Sequence, residues 1–272
     1  MDVIVLGGGI VGLVMANLLA KSTELRITVV EPNIPQLMWD EEQYDLRCSA
    51  ITPAARQVLL HIGVWQEITC CRHGVFNKMQ VWDQELHNKI VFDAQSARAS
   101  NLGHIIENRV LTKVLYQKLL QQANVAIIHA TANDLQQLPD SNVLNVGSKQ
   151  LECKLLIGAD GANSWLRKEA KITNYGWDYQ HAALVATIQT QHAHANTALQ
   201  RFTSDGILAF LPLAHPNLCS IVWSCSSSKA QSLIDMPAAE FSKELASAFC
   251  YHLGELDLVS ARASFPLRML HA

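Results

Sequence analysis

The chain has 272 residues, 49% of them apolar and 17% charged, with a formal net charge of −3. That make-up belongs to a folded globular chain with room for one large or two modest domains, not to a disordered one. The acidic balance and the absence of any Lys/Arg cluster give no general attraction to nucleic acid or anionic lipid. The seven cysteines contain no C-x-x-C spacing, so no zinc or iron–sulfur site is expected, and without a signal peptide they point to a reducing compartment. Cys70 and Cys71 read as buried or half-buried thiols, and His192 and His194 as part of a solvated loop.

Val3 to Leu6 is an apolar run of the kind that forms a strand buried on both faces. Gly7, Gly9 and Gly12 follow at G-x-G-x-x-G spacing, and Ile10, Val11, Leu13, Val14, Leu18 and Leu19 recur at helical spacing. A second apolar run, Ile27 to Val30, ends on Glu31. This is the βαβ dinucleotide fingerprint. The first glycine allows the tight turn, the second lets backbone approach a pyrophosphate, and the third lets helix pack on strand. The helix N-terminus offers free N–H groups to phosphates, and Glu31 can accept hydrogen bonds from an unphosphorylated ribose. Val3 to Ala20 carries no charge and is long enough for a membrane span, but four glycines within it and Asp2 ahead of it favour a Rossmann core.

Pro32 and Pro35 open a loop to about Asp45, and Arg47 follows in DLRCSAI. Arg47 reads either as a phosphate or flavin contact or as a surface ion pair. The spacing predicts a helix from Pro53 to Ile62 with Ala54, Val58, Leu59 and Ile62 on one face and Gly63 as C-cap. Strands are expected over Lys78–Trp82 and Lys89–Phe92 around a polar turn, and over His104–Glu107. Asn108 is placed to cap a helix carrying Val110, Leu111, Val114, Leu115 and Leu119. A parallel-type strand, Val125–Ile128, precedes three short antiparallel ones, Leu135–Leu138, Val143–Val146 and Leu151–Cys153.

Leu155 to Ile157 returns to a buried strand and leads into GADGANSWLR. This second strand–glycine–helix passage either puts Asp160 at the crevice beyond the parallel strands or is an ordinary Asp-Gly turn. From Tyr175 the pattern changes to strands separated by short turns: His181–Thr190, Leu199–Thr203, Ile207–Leu213 and Leu218–Ser224. A helix starting at Pro237 carries Phe241, Leu245 and Phe249, and a last strand covers Leu256–Phe265. One face of this antiparallel sheet is available to line an apolar pocket between domains.

GGGIVG with Glu31, DLRCSAI, LGHIIEN, GADGANSWLR, ILAFLPL and SIVWS, in this order, resemble the class A flavoprotein aromatic hydroxylases. Within them the chain is most similar to the ubiquinone-biosynthesis branch, whose 2-polyprenylphenol hydroxylases oxidise ring carbon 5. The resemblance implies an α/β fold: a Rossmann-like FAD-binding domain, as in para-hydroxybenzoate hydroxylase, with an inserted, largely antiparallel β-sheet substrate domain. It assigns residues 1–75 plus 102–174 to the first, 76–101 plus 175–265 to the second, and 266–272 to a return toward the first. It implies FAD as cofactor, NAD(P)H as reductant and O2 as co-substrate, with oxygen passing through a flavin C4a-hydroperoxide to a polyprenylated phenol. Gly7, Gly9 and Gly12 would meet the FAD pyrophosphate, Glu31 the adenosine ribose, and Arg47 the phosphate–ribityl side. Asn108 stands where many relatives have an arginine touching FAD. Asp160 and Gly161 match the family's Asp-Gly motif, which serves FAD and the nicotinamide, and Arg167 ends it.

No metal is implied, and no residue is singled out as a catalytic acid or base. The setting implied is cytoplasmic, with peripheral contact at the inner membrane or membership of a ubiquinone-biosynthesis complex. The family's third motif, Gly-Asp followed by Ala-Ala-His, is not found: none of the thirteen glycines precedes an Asp. The chain therefore reads as C-terminally truncated, binding FAD weakly and inactive by itself. Two other readings stay open, a flavin- or NAD-dependent reductase and a non-catalytic scaffold or lipid-presenting subunit.

Overall fold

The computed structural model describes residues 1–40, 42–84 and 89–271. The first half runs β1 (Val3–Leu6), α1 (Ile10–Ser22), β2 (Ile27–Val30), β3 (Cys48–Ile51), α2 (Pro53–Ile62), α3 (Trp65–Cys70), β4 (Gly74–Phe76), β5 (Lys78–Asp83), β6 (Lys89–Asp93), β7 (Gly103–Glu107), α4 (Asn108–Leu120) and β8 (Val125–Ile128). It continues with β9 (Ala132–Gln137), β10 (Asn142–Val146), β11 (Lys149–Cys153), β12 (Leu155–Gly158) and α5 (Trp165–Glu169). The rest is β13 (Tyr175–Thr190), β14 (Thr197–Thr203), β15 (Gly206–Pro212), β16 (Leu218–Ser226), α6 (Ser227–Asp235), α7 (Ala238–Ala248), β17 (Leu256–Leu258) and β18 (Ala263–His271).

A parallel sheet in the order β12-β1-β2-β8 forms the nucleus of the first unit. Its central strands β1 and β2 are buried at every residue because both faces are covered. Val3, Val5, Ile27 and Val29 pack with α1, α2, α3 and α4, whereas Ile4, Leu6 and Val30 face the antiparallel ribbon β9–β11. Buried Asn17 ties two of these helices together, its amide donating to the carbonyls of Leu13 (2.8 Å) and Leu115 (3.0 Å). The second unit is a sheet in the order β17-β13-β16-β15-β14-β5-β6, with β18 also on β13. Leu184, Ile188, Phe210, Ile221 and Trp223 on one of its faces pack against Phe241, Leu245 and Phe249 of the α7 region. A small sheet, β3-β7-β4, joins the two units, and Phe76 and Ile105 from it share a core with Ala198 and Leu213.

Several expectations change. In α2 only Leu59 and Ile62 of the predicted face are buried; Ala54 and Val58 are exposed, because the helix is covered from one side only. Thr52 caps it, its Oγ1 accepting from Ala55, and Gly63 ends it at φ +87°. Asn108 is the first helical residue of α4, not its cap: its Oδ1 accepts from Ser49 (2.6 Å). Strand β12 is a sheet edge, and Leu155 is half-exposed. The predicted last strand is two, β17 and β18, broken over 259–262, and the second pairs with β13 as far as His271. The large sheet is antiparallel except where β14 runs parallel to β5. His194 is buried, its Nε2 bonded to the His215 carbonyl (3.1 Å) and its Nδ1 accepting from the Asn196 amide (3.1 Å). Cys70 is exposed and Cys71 half-buried. The polar turn expected between β5 and β6 lies outside the described residues.

His104 on β7 is buried, and neither ring nitrogen has a hydrogen-bond partner among the described residues. The Trp65 ring meets it edge-on at 4.9 Å and the His73 ring lies 5.5 Å away. Burial, then the charges of His73 and Arg56, pull its pKa down to about 4. The unfolded chain thus takes up a proton that the folded one refuses. Stability is therefore expected to fall as pH drops from about 6.5 toward 4. Denaturant titrations across that range should show a shallower loss in His104→Phe than in the parent.

Candidate functional site

The turn after β1 is built from backbone-to-backbone contact. Gly7 sits at φ +110°, and a Cβ there would lie 2.2 Å from the Ala159 carbonyl oxygen. A Cβ on Gly12 would lie 2.0 Å from the Gly7 oxygen, so α1 can pack on the turn only through glycine. Gly9 differs: nothing lies within 4 Å of where its Cβ would be. It precedes α1, which has neither a side-chain cap nor an acidic residue in its first turn. The helix thus presents uncapped N–H groups and the positive end of its dipole beside an open glycine.

Gly7 and Gly9, at the foot of that helix, form one wall of a cleft of about 500 Å3. Its other walls are Glu31 and Asn33 after β2, Ala130 to Ala132 after β8, and Ala159 to Gly161 with Trp165 after β12. The Glu31 carboxylate is fixed. Its Oε2 accepts from the Gly8 amide (2.7 Å), and Oε1 from the Asn33 amide (3.0 Å) and side chain (3.2 Å). Asp160 lines the cleft, but both its carboxylate oxygens serve the turn: Oδ1 accepts from Ser164 (2.5 Å) and Oδ2 from the Leu166 amide (3.0 Å). Gly161, at φ +86°, presents an open backbone. Arg167 donates to the Ala162 carbonyl (2.8 Å) and so stays with its own turn.

The structure therefore brings Gly7, Gly9, Glu31, Asp160 and Gly161 onto one cleft, with Gly12 packed behind it. Arg47 and Asn108 do not line it. They stand together, the Asn108 amide donating to the Arg47 carbonyl (2.9 Å), and the Arg47 guanidinium lies 5.1 Å over the Phe265 ring of β18.

A buried ion cluster, absent from the sequence reading, holds the segment that leads to Arg47. Glu107 is 3% exposed. Its Oε1 accepts from Arg72 Nε (2.7 Å), and its Oε2 from Arg109 Nε (2.9 Å) and the Asp45 amide (2.7 Å). Both arginines also donate to the Gln43 carbonyl. Tyr44 stacks under Arg72 at 3.7 Å, and Trp39 lies under Arg109 and Lys113. Beyond this cluster, a second cleft of about 850 Å3 lies between residues 42–46 and the large sheet. Tyr44, Leu46, Leu218 and Val259 give it apolar walls, and Thr187, Gln189 and Ser260 add polar points.

The family model described as FAD binding domain matches residues 1–266. The chain belongs to this family. Its cofactor is FAD, and it stands among the FAD-dependent aromatic monooxygenases of ubiquinone biosynthesis. It is 33% identical over 273 residues to 3-demethoxyubiquinol 3-hydroxylase of Escherichia coli K12, a match covering all of this chain and 69% of that protein. It is 32% identical over 289 residues to the mitochondrial ubiquinone biosynthesis monooxygenase COQ6 of Homo sapiens, covering 99% of this chain and 61% of that one. Against the zebrafish COQ6, Danio rerio, it spans 57% of the relative's length at 33% identity. The fold is shared with a variant of Pseudomonas aeruginosa PqsL (TM-score 0.75, 21% identity, 95% of this chain and 73% of that one). It is shared too with p-nitrophenol 4-monooxygenase PnpA of Pseudomonas putida (TM-score 0.74, 18% identity, 99% and 69%).

The cleft passes a chemical test for the ADP half of FAD. It offers an anion-seeking helix end, a glycine leaving room for a pyrophosphate, and a carboxylate already oriented at the far wall.

Burial alone would push the Glu107 carboxyl up, but the hydrogen bonds from Arg72 and Asp45 and the charges of Arg72 and Arg109 outweigh it and hold the pKa below the usual value. The cluster's contribution is thus present above the ordinary glutamate range and is lost as pH falls through the lowered pKa. Glu107→Ala leaves two guanidinium groups facing each other and should cost about 3–5 kcal/mol in denaturant unfolding at neutral pH. The cost should shrink in acid.

Proposed function

We propose that the protein is a flavin-dependent monooxygenase that hydroxylates ring carbon 5 of a polyprenylated phenol in ubiquinone biosynthesis, with NAD(P)H and O2 as co-substrates. One observation carries the reading. In a chain of this family, Gly7, Gly9, Glu31 and the Asp160–Gly161 turn converge on a single cleft with nucleotide chemistry. The two-part division at residues 75/76, 101/102 and 174/175 belongs to the same reading.

Bound FAD supplies the electron transfer and oxygen activation that no side chain provides. The chain's own residues bind and orient. The uncapped α1 N-terminus and Gly9 receive the pyrophosphate, with Gly7 and Gly12 shaping the approach. Glu31 accepts hydrogen bonds from the adenosine ribose. Asp160, by accepting from the Ser164 hydroxyl and the Leu166 amide at the start of α5, sets the backbone of Gly161 against the cofactor. Arg47 and Asn108, at the seam where β3, β7 and β18 meet, face the phosphate–ribityl side, and the Glu107 cluster fixes the segment carrying Arg47. The second cleft, between residues 42–46 and the sheet, takes the phenol. Its mixed lining suits a ring with one or two hydroxyl groups and an apolar tail.

No helix among the described residues is long and apolar enough to cross a membrane. The polyprenyl tail of the substrate favours contact at a membrane surface or within a biosynthetic complex.

The full gene product, loaded with FAD, should oxidise NAD(P)H faster when a polyprenylphenol is added, consume O2, and place one atom of 18O2 on the ring. Reduction of an acceptor without O2 uptake would support a reductase instead. Glu31→Ala removes hydrogen bonds to a charged acceptor and should weaken FAD binding about tenfold or more, read by flavin fluorescence titration.

A further inference from the structure

Glu31 does not hold its place alone. Strands β2 and β8 are parallel, and their ladder bonds run from the Ile27 amide to the Asn124 carbonyl (2.9 Å) and from the Glu31 amide to the Ile128 carbonyl (3.1 Å). In that phase the donor due to the Glu31 carbonyl is the amide of Ala130. That amide instead folds back onto the Ile128 carbonyl (3.1 Å). The ring of His129 takes its place, with Nδ1 3.1 Å from the Glu31 oxygen. A carbonyl only accepts, so Nδ1 carries the hydrogen, and in the neutral ring the lone pair lies on Nε2. Tyr116 of α4, itself buried, has its hydroxyl 3.1 Å from that nitrogen and donates into it.

We propose that His129 is a positioning residue for the cofactor's adenosine ribose, pinning the main chain of Glu31 while Tyr116 fixes the ring's tautomer. The inference rests on the reading of the cleft as the ADP site. His129 does not line the cleft itself; it joins the wall that begins at Glu31 to the wall that begins at Ala130. Without it the Glu31 carbonyl loses its partner at the point where the two strands part. The carboxylate then swings with its backbone, and the hydrogen bonds to the ribose weaken, while the pyrophosphate end, built on β1 and α1, is untouched.

The test uses two probes, ADP and inorganic pyrophosphate, titrated calorimetrically into the parent chain, His129→Ala, His129→Asn and Tyr116→Phe. His129→Ala should weaken ADP about tenfold and leave pyrophosphate unchanged. His129→Asn, whose amide restores a donor to the Glu31 carbonyl, should recover to within about threefold of the parent. Tyr116→Phe should fall between. In nitrogen-15 spectra the parent's His129 should show hydrogen on Nδ1. Equal ADP affinity in parent and His129→Ala, or an equal loss for both probes without rescue by Asn, or hydrogen on Nε2, overturns the inference and leaves the cleft's assignment standing. A parent chain that binds neither probe overturns both.

Discussion

The contact of three backbones at one point sets the rest of this structure. Gly12 of α1 rests on the Gly7 carbonyl, and Gly7 rests on Ala159 at the end of β12, with no side chain between. Any side chain there would collide with main-chain atoms, which cannot move without breaking the parallel ladder. The contact ties the helix to the first strand and the first strand to the Asp160 turn. It also leaves the carboxyl ends of β12, β1, β2 and β8 open in one direction, where Glu31 and Gly161 face a common space. An open parallel sheet binds ligands at this end because the helix N-termini and uncapped amides collect there.

A second constraint governs the seam between the two sheets. Glu107 ends β7 with its carboxylate buried, and two arginines, one from before β4 and one from α4, close on it together with the Asp45 amide. The cluster does for residues 42–47 what the glycine contact does for the turn: it makes an irregular stretch hold one position. Such a cluster is fragile to the loss of one partner, because the remaining charges stay buried unpaired. Arg47 follows directly and reaches Phe265 on the far sheet, so the orientation of the seam depends on a charge balance.

The parts of the site readable from sequence are those whose chemistry is local. Gly7, Gly9 and Gly12 lie within six residues, and Glu31 closes the second strand of the same unit. The Asp160 turn is as compact. What was hidden depends on partners far apart in the chain. Arg72 reaches Glu107 across 35 residues, and the Asp45 amide reaches the same carboxylate across 62. His129 reaches Glu31 across 98. Asn108 has the chemistry of a helix cap, but Ser49 takes its side chain, a competition visible only once β3 and β7 are paired. His194 has a polar neighbourhood in sequence and is buried because two turns fold back on it. The helix α6 and the small strands β3 and β4 escaped for the ordinary reason that short elements are decided by packing rather than by propensity. The first six residues of β13 lie outside the strand its pattern predicts because their partner, the end of β18, lies some ninety residues on.

The central claim is that the glycine turn, Glu31 and the Asp160–Gly161 turn together hold the ADP half of FAD. The most direct measurement is amide chemical-shift mapping of the isotopically labelled chain during titration with FAD to saturation. The account predicts the largest changes at Gly7, Gly9, Ile10, Glu31 and Gly161, with smaller ones at Arg47 and Asn108. Saturable changes confined to other surfaces, or none in the cleft at saturating FAD, would contradict it.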